Sequence, residues 1–173
     1  MLDRPLIVQA AQILAACRRA GLTLATAESC TGGLIAACLT EVPGASAVVE
    51  RGFVTYSNAA KEALLGVPSG LIASEGAVSP KVAAAMARGA LARSQAHLAV
   101  AVTGIAGPGG ATPGKPVGLV YLATARRGGP LRVEKRIFPG NRRVVRRATL
   151  ALALTLLEDA TKVKWPSIAQ SGP

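Results

Sequence analysis

The 173 residues match the usual size of one domain, and 50% of them are hydrophobic but only 3% aromatic, which predicts a core of Ala, Val, Leu and Ile. No apolar run approaches the roughly 20 residues that span a bilayer, and the N-terminus lacks a signal peptide pattern, so we expect a cytoplasmic protein outside the membrane. The formal net charge of +11 raises the possibility of nucleic-acid binding. Few aromatic side chains are available to stack on bases, however, so we expect no specific nucleic-acid partner.

The first predicted elements form a helix, a strand, a turn and a second helix. Residues 6–20 repeat apolar side chains at helical spacing, which predicts an amphipathic helix. Residues 22–27 alternate as a strand, and Thr31-Gly32-Gly33 turns the chain into a helical stretch over residues 34–39. Ser29 therefore falls in a strand-to-helix turn.

A second strand and a short helix follow. Residues 48–56 have the β-branched and aromatic content of a strand. Ser57 or Asn58 can cap a short helix that ends near Gly66. This assignment places Lys61 in the first turn of the helix.

A long helix, a strand and a glycine-rich loop come next. Ser79-Pro80 supplies an N-cap hydroxyl and a proline at the first helical position of an Ala-rich helix that reaches residue 92. Residues 97–103 predict a short apolar strand, and a glycine-rich loop follows over residues 104–116. So many glycines allow a ligand to approach the backbone of this loop.

The C-terminal part predicts a hairpin and a closing helix. Residues 118–125 and 131–138 read as two strands joined by a glycine-containing turn, and residues 141–160 as a helix. Helices that alternate with strands indicate an α/β fold, a three-layer α/β/α sandwich, and the hairpin makes its sheet mixed. We expect one domain over residues 1–162 and a flexible tail over residues 163–173.

Cysteine, histidine and acidic residues give little support to metal or triad chemistry. Cys17, Cys30 and Cys38 are odd in number and lack paired spacing, which predicts reduced, buried thiols. His97 is the only histidine and has no carboxylate beside it in sequence, so it is interpreted as a strand-end side chain with satisfied hydrogen bonds. Asp and Glu are few and lack the spacing of metal ligands, so we expect no metal or other cofactor.

A serine whose base is not histidine remains as a candidate nucleophile. Ser29 precedes a predicted helix N-terminus, where free N–H groups and the helix dipole stabilise an oxyanion. The backbone of Cys30, Thr31, Gly32 and Gly33 would then contact the substrate. The pattern is equally typical of an ordinary capped turn, with Ser29 and the preceding glutamate as the capping residues.

Lys61 and Tyr56 are the candidates for proton transfer. A lysine serves as a base when its pKa is depressed, and a helix N-terminus together with Arg51 would favour the neutral amine of Lys61. Tyr56 lies five residues earlier, and its phenol can relay a proton to the leaving group. The alternative for Tyr56 is simple packing at a strand end.

Three further residues are candidates for substrate binding. Thr103 and Gly104 begin the glycine-rich loop, whose N–H groups can bind a phosphate or a ribose. Arg142, at the start of the last helix, offers a guanidinium fork for a phosphate. The alternative for Arg142 is solvent exposure alone.

Several long motifs together resemble the CinA C-terminal domain family, the nicotinamide-nucleotide amidases. The resemblance covers nearly the whole chain, from about residue 5 to residue 160, and its motifs stand in the order of the family. They are Thr26-Ala27-Glu28-Ser29-Cys30-Thr31-Gly32-Gly33, Arg51-Gly52-Phe53-Val54-Thr55-Tyr56-Ser57-Asn58-Ala59-Ala60-Lys61, Gly76-Ala77-Val78-Ser79, Thr103-Gly104-Ile105-Ala106-Gly107-Pro108, Lys115-Pro116-Val117-Gly118 and Phe138-Pro139-Gly140-Asn141-Arg142.

The resemblance implies deamidation of nicotinamide mononucleotide to nicotinic acid mononucleotide and ammonia, in pyridine-nucleotide recycling. Ser29 maps onto the nucleophile of the family and Lys61 onto its base, while Tyr56, Thr103 and Arg142 map onto further motif positions. No metal or redox cofactor is implied. We also expect a homo-oligomer, with a dimer favoured.

A second class of function stays open at this point. The chain can instead be a non-catalytic nucleotide-binding module, or a competence- or damage-related module that binds an acidic partner. Nicotinamide riboside is an alternative substrate. The basic residues that would serve an acidic partner are concentrated near the C-terminal end: Arg126, Arg127, Arg132, Lys135, Arg136, Arg142, Arg143, Arg146 and Arg147.

Overall fold

A five-stranded mixed sheet forms the middle layer of the protein. The computed structural model describes residues 2–162, so the tail predicted for residues 163–173 lies outside the described part. The strand order is β2-β1-β3-β4-β5; β1 pairs in parallel with β2 and β3, and the remaining pairs are antiparallel. The strands are β1 (Leu24–Glu28), β2 (Val49–Val54), β3 (Leu98–Gly104), β4 (Leu119–Arg126) and β5 (Leu131–Ile137).

Helices cover both faces of this sheet, which confirms the three-layer α/β/α sandwich. The N-cap hydroxyls predicted at Ser57 and Ser79 accept from the N–H groups of Ala60 and Val82. The helices are α1 (Arg4–Arg19), α2 (Leu34–Thr40), α3 (Asn58–Leu65), α4 (Ser69–Glu75), α5 (Pro80–Ala92) and α6 (Arg142–Lys162), with a single 3-10 turn at Ala45–Ala47.

The hydrophobic core consists of two clusters, one on each face of the sheet, because successive side chains of a strand point to opposite faces. In β1, Leu24 packs in the cluster under α1, α2 and α6, whereas Ala25 and Ala27 pack in the cluster under α3, α4 and α5. Small side chains on the second face let α5 lie close to the sheet. No helix within residues 2–162 combines the length and the apolar character that crossing a bilayer requires.

Most predicted boundaries differ from the structure by one or two residues, and two of them illustrate this. The first helix begins at Arg4 instead of residue 6, because Asp3 accepts a hydrogen bond from the N–H of Leu6 and caps it. The second strand ends at Val54 instead of residue 56, although the N–H of Thr55 still donates to the carbonyl of Glu28 at 2.8 Å. The short helix α4 was not predicted, because seven residues following Pro68 present too little periodicity.

The carboxyl ends of the parallel strands β1, β2 and β3 lie at the same edge of the sheet. Ser29 follows β1, Thr55 follows β2, and the glycine-rich loop follows β3. In α/β sheets, ligands bind at this edge, where neighbouring loops diverge. The N-terminus of α6 also reaches this edge, since Arg142 donates to the carbonyl of Gly107 at 3.1 Å.

Candidate active site

Ser29 occupies a tight turn between β1 and α2. Its N–H donates to the carbonyl of Val102 on β3 at 3.0 Å, and its carbonyl accepts from the N–H of Gly32 at 3.0 Å. Gly32 and Gly33 follow with φ values of 61° and 90°, in the left-handed region that favours glycine. The turn therefore holds Ser29 rigidly, with 8% of its surface exposed.

Glu28 is the residue that caps α2. Its fully buried carboxylate accepts from the N–H groups of Ile35 at 3.0 Å and Ala36 at 2.8 Å. Ser29 does not cap this helix, so its hydroxyl is free to take another partner. Across residues 2–162, the backbone N–H groups of Cys30, Thr31 and Gly33 donate to no protein acceptor, whereas that of Gly32 donates to Ser29.

Lys61 brings its amine to the hydroxyl of Ser29. The two atoms, Nζ and Oγ, lie 3.1 Å apart, and Nζ also lies 3.0 Å from the carbonyl of Thr55 and 3.4 Å from that of Ser57. A neutral amine has two N–H donors and one lone pair. The two carbonyls can take both donors, which leaves the lone pair to accept from the Ser29 hydroxyl.

Burial favours the neutral form of Lys61. The side chain is 1% exposed, and desolvation lowers its pKa below the ordinary value of 10.5. The expected influence of Arg51 is wrong, because Arg51 forms an ion pair with Glu50 and donates to the carbonyl of Arg93. Removal from water, rather than a neighbouring cation, is thus the physical cause.

The thiol beside Ser29 is buried. Cys30 is 5% exposed, and burial raises the pKa of its thiol to about 12. All three cysteines are free and buried, as predicted. The interpretation of His97 as a strand-end side chain is also confirmed, since its Nδ1 accepts from the N–H of Thr23 at 3.1 Å.

Tyr56 and Arg142 meet at the mouth of the site. The guanidinium of Arg142 donates to the phenol oxygen of Tyr56 at 2.6 Å and to the carbonyl of Gly107 at 3.1 Å. Tyr56 is 57% exposed, and no hydrogen bond within residues 2–162 joins its phenol to Ser29 or Lys61. The proton relay predicted for Tyr56 therefore requires a bound substrate between the phenol and these two residues.

Thr103 and Gly104 contribute to the frame of the site. The hydroxyl of Thr103, 1% exposed, donates to the carbonyl of Ala77 at 2.7 Å. A Cβ on Gly104 would lie 2.8 Å from the carbonyl oxygen of Leu119, so close strand pairing requires this glycine. Both positions were predicted to bind substrate. In the structure, the Thr103 hydroxyl is hydrogen-bonded within the protein, and Gly104 packs closely against the neighbouring strand.

Sequence reasoning missed Arg146 as a residue of this site. Its guanidinium donates to the carbonyl of Thr31 at 2.6 Å, two residues after Ser29. The available signal was its spacing of four residues from Arg142, which puts both side chains on one face of α6.

Several of the C-terminal basic residues have protein partners. Arg127 donates to the carbonyls of Leu91, Ser94 and Ala96, and Arg147 pairs with Asp3. Arg132 and Arg136 share the carboxylate of Glu134. No group of three or more His, Cys, Asp or Glu side chains in the described range is arranged to hold a metal ion.

The sequence model of the CinA C-terminal domain matches residues 8–161. A CinA-like protein from Akkermansia muciniphila is 56% identical over 141 residues, which are 82% of this chain and 34% of that protein. A CinA-like protein from Geobacter sulfurreducens is 56% identical over 140 residues, 81% of this chain and 34% of the relative. The chain thus spans about a third of the length of these curated relatives.

Solved structures of similar chains share the whole architecture. The competence/damage inducible protein CihA from Agrobacterium tumefaciens superposes with a TM-score of 0.91 at 48% identity, covering 94% of this chain and 99% of that one. The competence damage-inducible protein A from Klebsiella pneumoniae gives a TM-score of 0.87 at 34% identity, with 92% and 99% covered.

Proposed function

The chain belongs to the CinA C-terminal domain family, and from this premise we propose that it is an amidohydrolase that deamidates nicotinamide mononucleotide to nicotinic acid mononucleotide and ammonia. The observation that carries the proposal is the buried Lys61 amine 3.1 Å from the Ser29 hydroxyl. A lysine whose neutral form is favoured by burial can activate the serine beside it as a nucleophile. The substrate itself is inferred from the resemblance to the nicotinamide-nucleotide amidases.

The proposed first step forms an acyl-enzyme. Lys61 takes the hydroxyl proton of Ser29, and the Ser29 oxygen attacks the carboxamide carbon. The negative charge that develops on the carboxamide oxygen needs preorganised donors. The N–H groups around Cys30 to Gly33 are the candidates, and those of Cys30, Thr31 and Gly33 have no protein acceptor, whereas the helix donors at Ile35 and Ala36 are occupied by Glu28.

The second half of the reaction releases ammonia and restores the enzyme. The Lys61 ammonium returns its proton to the amide nitrogen, the C–N bond breaks, and ammonia leaves. Water then attacks the ester carbonyl and gives a proton to Lys61, the ester C–O bond breaks, and Lys61 returns that proton to the Ser29 oxygen. The acid product loses its own proton to solvent and leaves as the carboxylate. Tyr56 at the mouth of the site is the proposed relay through which the Lys61 proton reaches the leaving nitrogen.

The mouth of the site supports a phosphorylated substrate. A guanidinium carries five N–H donors, and the contacts of Arg142 with Tyr56 and Gly107 leave others for a phosphate. Since these contacts also hold the guanidinium in place, little ordering is required when the ligand binds. Arg142 would thereby set the distance between the phosphate and the carboxamide that faces Ser29.

The direct test measures ammonia release from nicotinamide mononucleotide by the purified protein. We expect turnover that a chelator does not remove, and its loss in Ser29→Ala and Lys61→Ala. Ser94→Ala is the matched control, because Ser94 donates to the carbonyl of Ala90 in α5, remote from the turn. Absence of turnover in the folded wild-type protein would overturn the proposal in favour of a binding module, as would full activity in Ser29→Ala.

A further inference from the structure

The peptide group between Thr31 and Gly32 is fixed at both of its polar ends. Its carbonyl accepts from the guanidinium of Arg146 at 2.6 Å, and its N–H donates to the carbonyl of Ser29 at 3.0 Å. A peptide unit is planar, so two hydrogen bonds on opposite sides determine its orientation. The N–H groups of Thr31 and Gly33 belong to the two adjoining peptide units, so the fixed unit between them restricts the turn in which both lie.

Arg146 also packs directly on this turn. Its terminal nitrogen lies 3.8 Å from the position that a Cβ on Gly32 would take, and its Nε is buried without a protein partner in the described range. Within residues 2–162, no carboxylate forms an ion pair with Arg146. The guanidinium of Arg146 therefore faces the turn, and no ion pair with an acidic side chain in the described range neutralises its positive charge.

The positive charge of Arg146 reaches the residue next to the nucleophile. Burial is the largest influence on the Cys30 thiol and raises its pKa; among the charges, Glu28 raises this pKa, while Arg146 and Arg142 lower it and so counteract the Glu28 carboxylate. A negative charge that forms on the carboxamide oxygen at Ser29 would lie in the same field. Preorganised positive charge of this kind stabilises a transition state more than a neutral ground state.

We propose that Arg146 is a positioning residue for the reaction, which orients the oxyanion donors of the Ser29 turn through the carbonyl of Thr31. This inference rests on the function proposed above and extends it to a residue outside the substrate contacts. Arg142 and Arg146 lie on one face of α6 but then have different roles. Arg142 binds the phosphate in the ground state, whereas Arg146 acts on the turn where charge develops.

This division predicts different kinetics for the two arginines. Arg146→Met removes the hydrogen bond and the charge at the turn, so we expect kcat to fall about 10- to 100-fold while KM changes less than about twofold. Arg146→Lys keeps the charge and one donor and should recover part of kcat. Arg143→Met is the matched control, because it removes an equal charge from an exposed neighbour on α6 and should behave as the wild type.

A second readout does not depend on the substrate. The rate at which a fluorophosphonate probe labels Ser29 reports the reactivity of the nucleophile and its oxyanion donors, and intact-protein mass spectrometry measures it. We expect labelling of Arg146→Met to be at least about tenfold slower than labelling of Arg143→Met. If Arg146→Met fails to fold by circular dichroism, Arg146→Gln replaces it with the same expectation.

The outcomes separate the two proposals. Labelling that slows in Arg146→Met, with no ammonia release from the wild type, would overturn the amidase and leave the positioning role supported. Ammonia release by the wild type with equal kcat and equal labelling in Arg146→Met would overturn the role of Arg146 alone. A rise in KM without a fall in kcat would also overturn it, because Arg146 would then bind substrate.

Discussion

The amine nitrogen of Lys61 lies 3.1 Å from the hydroxyl oxygen of Ser29, although 32 positions separate the residues in sequence. The parallel pairing of β1 with β2 creates this proximity, because Ser29 follows one strand and Lys61 lies in the helix that follows the other. The N–H of Thr55 continues the ladder by donating to the carbonyl of Glu28. The segments that carry Ser29 and Lys61 are thus held together by backbone hydrogen bonds.

Lys61→Met is expected to abolish turnover without destabilising the fold. Methionine fills a similar volume and removes an amine that is costly to bury, while the carbonyls of Thr55 and Ser57 lose a donor. We expect the free energy of unfolding in urea to stay within about 1 kcal/mol of the wild type or to rise. Lys81→Met, at an exposed ion pair with Glu75, is the control that should keep activity. A loss above about 3 kcal/mol in Lys61→Met would contradict this expectation.

The activity is expected to rise with pH as Lys61 loses its proton. Because burial lowers the pKa of Lys61, the rising limb of kcat against pH should have its midpoint below 10.5. Initial rates of ammonia release across the pH range measure this midpoint. A limb centred at or above 10.5 would show that Lys61 is not the titrating base.

The same pKa shift predicts the pH dependence of stability. Between the lowered pKa of the folded state and 10.5, the unfolded chain binds more protons at Lys61 than the folded chain does. The contribution of Lys61 to the free energy of unfolding should therefore increase with pH in that window and level off above it. The difference between wild type and Lys61→Met in urea titrations isolates this contribution. A difference that decreases with pH would be incompatible with a lowered pKa.

Arg142→Met should discriminate between substrates with and without a phosphate. Loss of a charge-assisted hydrogen bond costs about 1.5–3 kcal/mol, so kcat/KM for nicotinamide mononucleotide should fall about 10- to 100-fold. For nicotinamide riboside, the change should stay within about threefold. Steady-state kinetics on both compounds provide the comparison, with Arg143→Met as control. Equal losses on the two substrates would show that Arg142 does not recognise the phosphate.

Glu28→Gln should weaken both the fold and the reaction. The buried carboxylate accepts from two N–H groups of α2, and an amide offers one acceptor oxygen and no charge for the helix N-terminus. We expect a loss of about 1–3 kcal/mol in the free energy of unfolding and a lower kcat, because Ser29 is the next residue. Glu62→Gln, at an exposed position of α3, should leave both quantities unchanged. Wild-type stability in Glu28→Gln would mean that the cap contributes nothing.

Local patterns in the sequence predicted the parts of the site that depend on short-range contacts. The turn at Ser29, the cap at Ser57 and the position of Lys61 in the first turn of α3 follow from propensity and spacing within a few residues. The hairpin of β4 and β5 was predicted by the same kind of signal. The cause of the lowered Lys61 pKa was not predicted from the sequence, since burial is a property of the packed molecule.

Sequence patterns did not predict the contacts between distant segments. Arg146 lies 115 positions from Thr31, and its role at the turn depends on the way α6 packs beside α2. The sequence offered Glu28 as a helix cap, but the two N–H groups that it binds, seven and eight positions further on, depend on the geometry of the turn. Side chains that bridge separate elements carry no periodic signal of their own.

The strand that precedes the helix with Lys61 is the least protected strand of the parallel set. β2 lies at the edge of the sheet and is paired only with β1, whereas β1 is paired on both sides. Edge elements open at a lower free energy than the interior of a sheet. The proposed pair of Ser29 and Lys61 should consequently separate before the sheet as a whole unfolds, so a denaturant should abolish the proposed turnover while the circular dichroism spectrum is still that of the native protein.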